Sequence, residues 1–321
     1  MNQRQSVLLA ATLYILAGVT HAAYPERAIR IIVPYAPGGN IDITARIIAP
    51  GMSEALGQQV VIDNRGGAGG TLGTEIGAKA APDGYTLTLG STGTLSTAPP
   101  LYPRLGNDPV RDFATTSLVS NVALVLEMHP SIPARTVREF IALAKSRPGK
   151  ITMGSSGAGT TNHLSGELFQ SATGTKFVHI PYKGSGPGLI DLMGGQIDIF
   201  FDQLSASIGF IQTGKLRALA VTTLKRATAM PELPTIAESG IPGFDASTWT
   251  GIILPAATPR DTVMKVHAAL IKTLHAKATR DNFARLGAET LESTPEEFAR
   301  FVRDDLAKWT KVVREAGIKL E

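Results

Sequence analysis

Cysteine is absent from all 321 residues. No disulfide can staple the chain, and no thiolate is present as nucleophile or soft metal ligand. The fold must be held by its core alone, and the length is enough for two lobes. Excess charge is also small. Thirty-one Lys and Arg against 27 Asp and Glu leave a formal charge of +4, too mild and too dispersed for a nucleic-acid partner. Aromatic residues make up 6% of the chain, with two Trp, so Ala, Gly and Val dominate, as in α/β proteins. The six histidines show no metal-ligand spacing, so neither a metal nor a cofactor is expected.

Long apolar runs are missing except at the amino terminus. Val7 to Val19 form a short apolar run behind Arg4, and Thr20-His21-Ala22 puts small residues where a signal peptidase reads. The run is short for a membrane span, and the polar YPERAIR follows. Residues 1–22 are therefore predicted to be a secretory signal, cleaved after Ala22 or Ala23.

What is abundant is glycine, 33 residues, and it is not scattered. Ile151 to Leu168, ITMGSSGAGTTNHLSGEL, reads as a strand end, a glycine-rich turn and a helix start with Thr160 and Thr161 as caps. Such a junction leaves backbone N–H groups without partners at a mildly positive helix start, which suits an anion. Two nucleotide loops fail here. No lysine follows Gly159 as a P-loop requires, and Asn162 stands where a dinucleotide fingerprint needs its third glycine. A tight turn with no ligand is the plain alternative.

The chain repeats the pattern. Strands expected at 28–33, 60–62 and 85–89 each end in a small-residue loop: Pro34 to Gly39, Asp63 to Gly70, and Gly90 to Thr94. Asn40 is read as the cap of the helix carrying Ile43, Ile47 and Ile48. Val119 to Met128 reads as a long strand leaving the first lobe, and Trp249 to Leu254 as the strand returning to it. Between them, strands at 177–180, 197–201 and 216–221 alternate with helices at 137–145 and 189–193, the first opened by the capping box Thr136-x-x-Glu139. Helices after Thr258 and Thr294 close the chain, the last with Phe298, Phe301, Val302, Leu306, Trp309 and Val313 inward and ending at Ala316-Gly317. This alternation predicts an α/β fold of two doubly wound lobes joined by two crossing strands. One lobe is 24–122 plus 248–321 and the other is 123–247.

The segments YPERAIRIIVPYAPGGNID, DNRGGAGGTLG, PDGYTL, GSSGAGTTNHLSGELF, HIPYKGSGP, LRALAVT and PTIAESGIPGF resemble, in order and spacing, the Bug-type (TctC-like) extracytoplasmic receptors of tripartite tricarboxylate transporters. The resemblance covers nearly all of the mature chain. It implies a monomeric periplasmic binding protein of the type II arrangement. Such a protein closes on a di- or tricarboxylate, acidic amino acid or aromatic acid and hands it to a membrane permease of one large and one small subunit. Carried over by position, the binding loops are Tyr35 through Asp42 with Gly38 and Gly39, then Asn64 with Ala68 and Gly69, then Ser91. From the second lobe, Ser155, Ser156, Gly159, Thr160 and His163 would hold a carboxylate. Tyr182, Lys183 and Gly184 would close over it, with Asp202 at the rim. Gly66 departs from the family's frequent proline and is expected to loosen its loop. Asn40 stands where a serine is frequent.

Read from the residues alone, a lone helical His163 is more often structural than a ligand, Lys183 is as readily solvated, and Asp42 is suited to fixing its own loop. Two rival classes remain. A sensory receptor would pass the closed form to a membrane kinase. A serine hydrolase would pair Ser155 or Ser156 with His163, a base placed unusually close along the same turn and helix.

Overall fold

The computed structural model describes residues 24–102, 104–315 and 318. The expected signal segment and the helix end at Ala316-Gly317 lie outside the described residues.

The first half opens with β1 (Ile29–Val33), α1 (Asn40–Leu56), β2 (Val60–Asn64), α2 (Thr71–Ala78) and β3 (Thr86–Ser91), with a helical turn at Gly93–Thr97. The sixteen-residue β4 (Phe113–Met128) leads out. The second half holds α3 (Val137–Ser146), β5 (Ile151–Ser155), α4 (Thr161–Thr173), β6 (Phe177–Pro181), α5 (Ser185–Met193), β7 (Ile199–Gln203), α6 (Leu204–Gln212) and β8 (Arg217–Val221). The chain returns through β9 (Ser247–Pro255) to α7 (Arg260–His275), α8 (Lys277–Arg285), β10 (Ala288–Thr290) and α9 (Pro295–Glu315).

The strands run in the order β2-β1-β3-β9-β4-β7-β5-β6, with β8 and β10 also paired to β4. β1 is parallel to β2 and β3, and β5 is parallel to β6 and β7, while β4 is antiparallel to all its partners. This is the expected α/β fold, two doubly wound lobes with β4 and β9 as the crossing strands. Its two half-sheets meet continuously at β4. The residues of β4 up to Ala123 pair with β9, and those from Leu124 pair with β7.

Apolar periodicity explains the layers. Ile29, Ile31, Val33, Leu87, Leu89, Ile252 and Leu254 pack against Ile41, Ala45, Ile48 and Met52 of α1 and Val266, Leu270 and Leu274 of α7. In the second half Leu124, Leu126 and Met128 pack with Phe140, Met153, Phe169 and Phe201. On α9, Phe298, Val302, Trp309 and Val313 are buried, whereas Phe301 is 37% exposed at the edge of Trp249.

Several expectations need correcting. Gly39, not Asn40, occupies the cap of α1; Asn40 is its first helical residue. α5 starts at Ser185, four residues before the expected Leu189, because Gly-Pro in a first helical turn is tolerated and does not break it. α6 follows β7 with no intervening turn residue, and its small residues blur the helical period. α8 has only Thr279 and Phe283 buried, so its apolar signal is faint.

Candidate functional site

Five junctions after parallel strands or their crossing partner deliver helix or turn starts to one place. A small cavity of about 20 Å3, room for about one water in this conformation, lies there. Tyr35, Gly39, Asn40, Ile41, Ser91, Gly93 and Thr248 line one side, and Ser156, Thr160, Thr161, Asn162, Ser185 and Gln203 the other. The amino ends of α1, α4, α5 and α6 all contribute lining residues. The caps of α1, α5 and α6 (Gly39, Gly184 and Gln203) make no side-chain cap bond. No cap side chain therefore takes up their first N–H groups, and the four helix dipoles add to a positive potential. Thr160 caps α4 as expected, accepting from the His163 N–H.

None of the lining residues is Lys, Arg or His. Attraction for an anion therefore comes from dipoles and neutral donors. Two such donors stand out. Asn40 is 2% and Thr161 1% exposed, yet Asn40 Nδ2 and Thr161 Oγ1 have no protein partner. Asn40 Oδ1 accepts from Ser205 Oγ at 2.7 Å across the cleft, which leaves Nδ2 unspent in a residue that lines the cavity.

The two halves are in contact around this space. The Ala36 N–H donates to Lys183 O at 2.9 Å, Tyr102 Oη to Ala158 O at 3.0 Å, and Thr97 Oγ1 to Gly159 O at 2.8 Å. Glycines make the approach feasible. A Cβ at Gly69, whose φ is +64°, would fall 2.3 Å from Ala158 O, and one at Gly186 2.2 Å from Pro37 O. A Cβ at Gly66 would lie 2.8 Å from Lys183 O and 2.9 Å from Ala36 N, so this position too is packed where the halves meet.

The expected site residues separate into three sets. Tyr35, Gly39, Ser91, Ser156 and Thr160 line the cavity. Gly69, Gly159, Lys183 and Gly184, with Ala68 beside them, sit where the halves touch. Lys183 bonds through its carbonyl while its side chain is exposed. Gly38 is exposed and faces Gly186 of the other half, and the remainder are held by neighbours without lining the cavity. Asp42 Oδ2 accepts from the Gly38 N–H and from Arg46, and Oδ1 from Asn64 Nδ2. Burial pushes the Asp42 carboxyl up, but the bonds from Arg46, Gly38 and Asn64 outweigh it and hold it below the usual range. Asn64 also holds the Tyr35 carbonyl, so this trio braces the first loop. Tyr182 Oη donates to Asp191, away from the cavity. Asp202 is not at a rim: it is fully buried within β7.

His163 is likewise structural in this geometry. Its Nδ1 accepts from the Gly159 N–H, and its ring stacks on His179 at 3.9 Å. Ser155 Oγ lies 2.6 Å from His179 Nε2, so the serine's histidine partner is His179 and not His163. Burial, with His179 nearby, lowers His163 to about 3, and burial lowers His179 to about 4, against an ordinary 6.5. Both rings are neutral when folded and regain the ordinary value on unfolding. The stability they contribute is complete above pH 6.5 and is lost as pH falls from there toward 3–4. Urea titrations at pH 7 and pH 5 should show His179→Gln, whose amide still reaches Ser155, losing less stability on acidification than the wild type. The expected difference is up to about 1.4 kcal/mol per pH unit for the one proton.

Sequence reading missed Asn162, Thr161, Ser185, Gln203 and Thr248 as lining residues. A helix-start position was the available signal for the first three. Nothing local marked Gln203 or Thr248.

Two α/β halves that bring helix amino ends together over one shared cavity define a periplasmic-type solute-binding protein. The chain belongs to the tripartite tricarboxylate transporter receptor family, whose profile, described as "Tripartite tricarboxylate transporter family receptor", matches residues 44–318. It is 39% identical to Protein BugT of Bordetella pertussis over 315 residues, 98% of this chain and 97% of BugT. Its fold matches an R. palustris protein solved with adipate at TM-score 0.89 and 37% identity, covering 92% of this chain and 99% of that one. It also matches MatC from Rhodopseudomonas palustris with bound malate at TM-score 0.87 and 32% identity, covering 90% and 100%. The family is one of periplasmic solute-binding receptors, and among the described residues no helix is long and apolar enough to cross a membrane.

Proposed function

We propose that this receptor captures a small organic carboxylate, a dicarboxylate in the first instance, between its two lobes and delivers it to a tripartite tricarboxylate transporter permease. The observation that carries this reading is the convergence of four helix amino ends on a cavity lined without a cationic side chain. A micromolar complex needs roughly 8 kcal/mol, and one helix start contributes about 0.3–2 kcal/mol. Several must act together, from both halves. The adipate and malate complexes of the two relatives support the ligand class.

In this reading the hinge crosses at 122/123 and 247/248. The register supports it: Ala123 is the last β4 residue paired with β9, opposite Ser247, and Leu124 the first paired with β7. Residues 1–22 act as the export signal. In a thermal-shift screen of the mature chain, adipate, malate, citrate, glutamate and benzoate are the diagnostic ligands. At about 100 times its dissociation constant the right carboxylate adds about 2.7 kcal/mol, which raises the midpoint by roughly 5 °C. Stabilisation by sugars or nucleotides and by no carboxylate defeats the reading.

A further inference from the structure

Behind the cavity wall lie two carboxyl side chains that anion capture leaves without a task. Glu127 is on β4 and Asp202 on β7. The register sets Val125 opposite Asp202 and Glu127 opposite Phe200, so the two acids project from the same face as diagonal neighbours. Both are fully buried. Asp202 Oδ2 has no protein partner, and the Glu127 carboxyl has at most the Ser207 hydroxyl as a weak one. Asp202 Oδ1 accepts from Ser185 Oγ at 2.5 Å and from Asn162 Nδ2 at 2.8 Å. Both donors belong to residues lining the cavity, and Ser185 Oγ is 2.8 Å from Ser156 Oγ. One chain of hydroxyls thus joins the buried acid to the ligand space: Asp202, Ser185, Ser156.

The surrounding elements bring no counter-charge to the pair. Arg217 of β8 donates to the Ile132 and Ala134 carbonyls. His163 and Glu167 of α4 face each other at 3.6 Å, and Asp191 of α5 holds Tyr182. Asp42 and Arg46 of α1 are paired together. α6, β5 and β9 carry no ionisable side chain. Burial, with the Asp202 charge added, pushes Glu127 well above the carboxylate range, and burial lifts Asp202 to about 6 against the bonds from Ser185, the Gln203 N–H and Asn162. Two adjacent buried carboxyls do not both ionise, so the pair keeps at least one proton near neutrality.

We propose that the receptor takes up a proton together with its anionic ligand and stores it on the Glu127–Asp202 pair. This rests on the carboxylate reading above. With Asp202 ionised, the Ser185 O–H is committed to it, the Ser156 O–H turns to Ser185, and Ser156 presents lone pairs to the cavity. A carboxylate is repelled by lone pairs and held by donors. When a proton from solvent joins Asp202, that carboxyl donates to Ser185, Ser185 donates to Ser156, and the Ser156 O–H points at the ligand. The entering negative charge favours the protonated carboxyl in turn, so the two events are linked with matching sign. Uptake falls in the window above the free value of about 6, where affinity weakens as pH rises, by at most about tenfold per pH unit for one proton.

Calorimetric titration of adipate into the wild-type protein at pH 7.0 and 8.0, each in phosphate and in Tris, reads the proton directly from the dependence on buffer ionisation heat. The expected result is net uptake of up to about one proton per adipate, with weaker binding at the higher pH. Asp202→Asn is expected to bind with no uptake and with affinity independent of pH. Glu127→Gln serves as the second variant. Glu127 is already protonated in this window, so uptake is expected to persist in this variant, and its loss there overturns the assignment of the proton to Asp202. Adipate binding by the wild type with no proton uptake at either pH overturns this inference alone. Absence of binding by adipate, malate and citrate alike overturns the carboxylate reading and this inference with it.

Discussion

Asn40→Asp is expected to abolish carboxylate binding at neutral pH, a loss of at least about a thousandfold. The substitution changes one atom of equal size. The oxygen that accepts from Ser205 is retained, so the helix start keeps its tie across the cleft. The partnerless Nδ2 becomes an anionic oxygen in a cavity with no cationic lining residue. A hydrogen bond to a charged group is worth about 1.5–3 kcal/mol. A like charge at about 4 Å costs up to about 4 kcal/mol at an effective dielectric constant of 20. Together these exceed the roughly 4 kcal/mol that a thousandfold represents. Calorimetry with the wild type's tightest carboxylate checks it. Binding within tenfold of wild type shows that Asn40 does not face the ligand. Circular dichroism that matches wild type keeps the comparison fair.

Gly186→Ala is expected to weaken binding roughly tenfold to a hundredfold while leaving the free protein as stable or slightly more so. The two signs separate because they arise in different states. In the closed form the new Cβ meets Pro37 O at 2.2 Å, and Pro37 belongs to the opposite half. Accommodating it costs about 1–3 kcal/mol of overpacking. An open form has no such clash, and alanine in a helix is favoured over glycine by about 0.5–1 kcal/mol. Small-angle scattering should show wild type compacting on ligand addition and the variant compacting less. Equal affinity and equal compaction would mean that this contact does not limit closure. Gly69→Ala is the poorer probe. Its clash with Ala158 O at 2.3 Å is also between halves, but its φ of +64° strains an alanine in either form.

Much of this architecture was legible because its signals are local. Thr160 before a helical stripe marks a cap whatever lies elsewhere, and the α4 start fell where the residues put it. Thr136 with Glu139 likewise marked α3, where Thr136 accepts from the Glu139 N–H. The glycine turns after β1, β2 and β5 announced unpaired amides. The site was only half legible. Ser156 and Thr160 line the cavity, whereas Ser155 turns to His179, twenty-four positions along the chain. A one-residue step at a strand end reverses the side a side chain faces, so composition alone does not separate the two serines. Asp42, His163 and Asp202 were placed at the ligand by resemblance, yet each is engaged by neighbours behind the wall.

The order of residues by itself determined which segments become strands, where most helices begin, and that anion-seeking amides recur at the strand ends. It did so because hydrophobic period, caps and turns act over a few residues. Only the tertiary structure decided which of those amides share a cavity, that Asn40 and Thr161 keep unspent donors in it, and that Glu127 sits beside Asp202. Those outcomes depend on the register of β4 against β7 and β9 and on how closely Gly69 and Gly186 let the halves approach. Such contacts join positions far apart in the chain, where no local periodicity carries information.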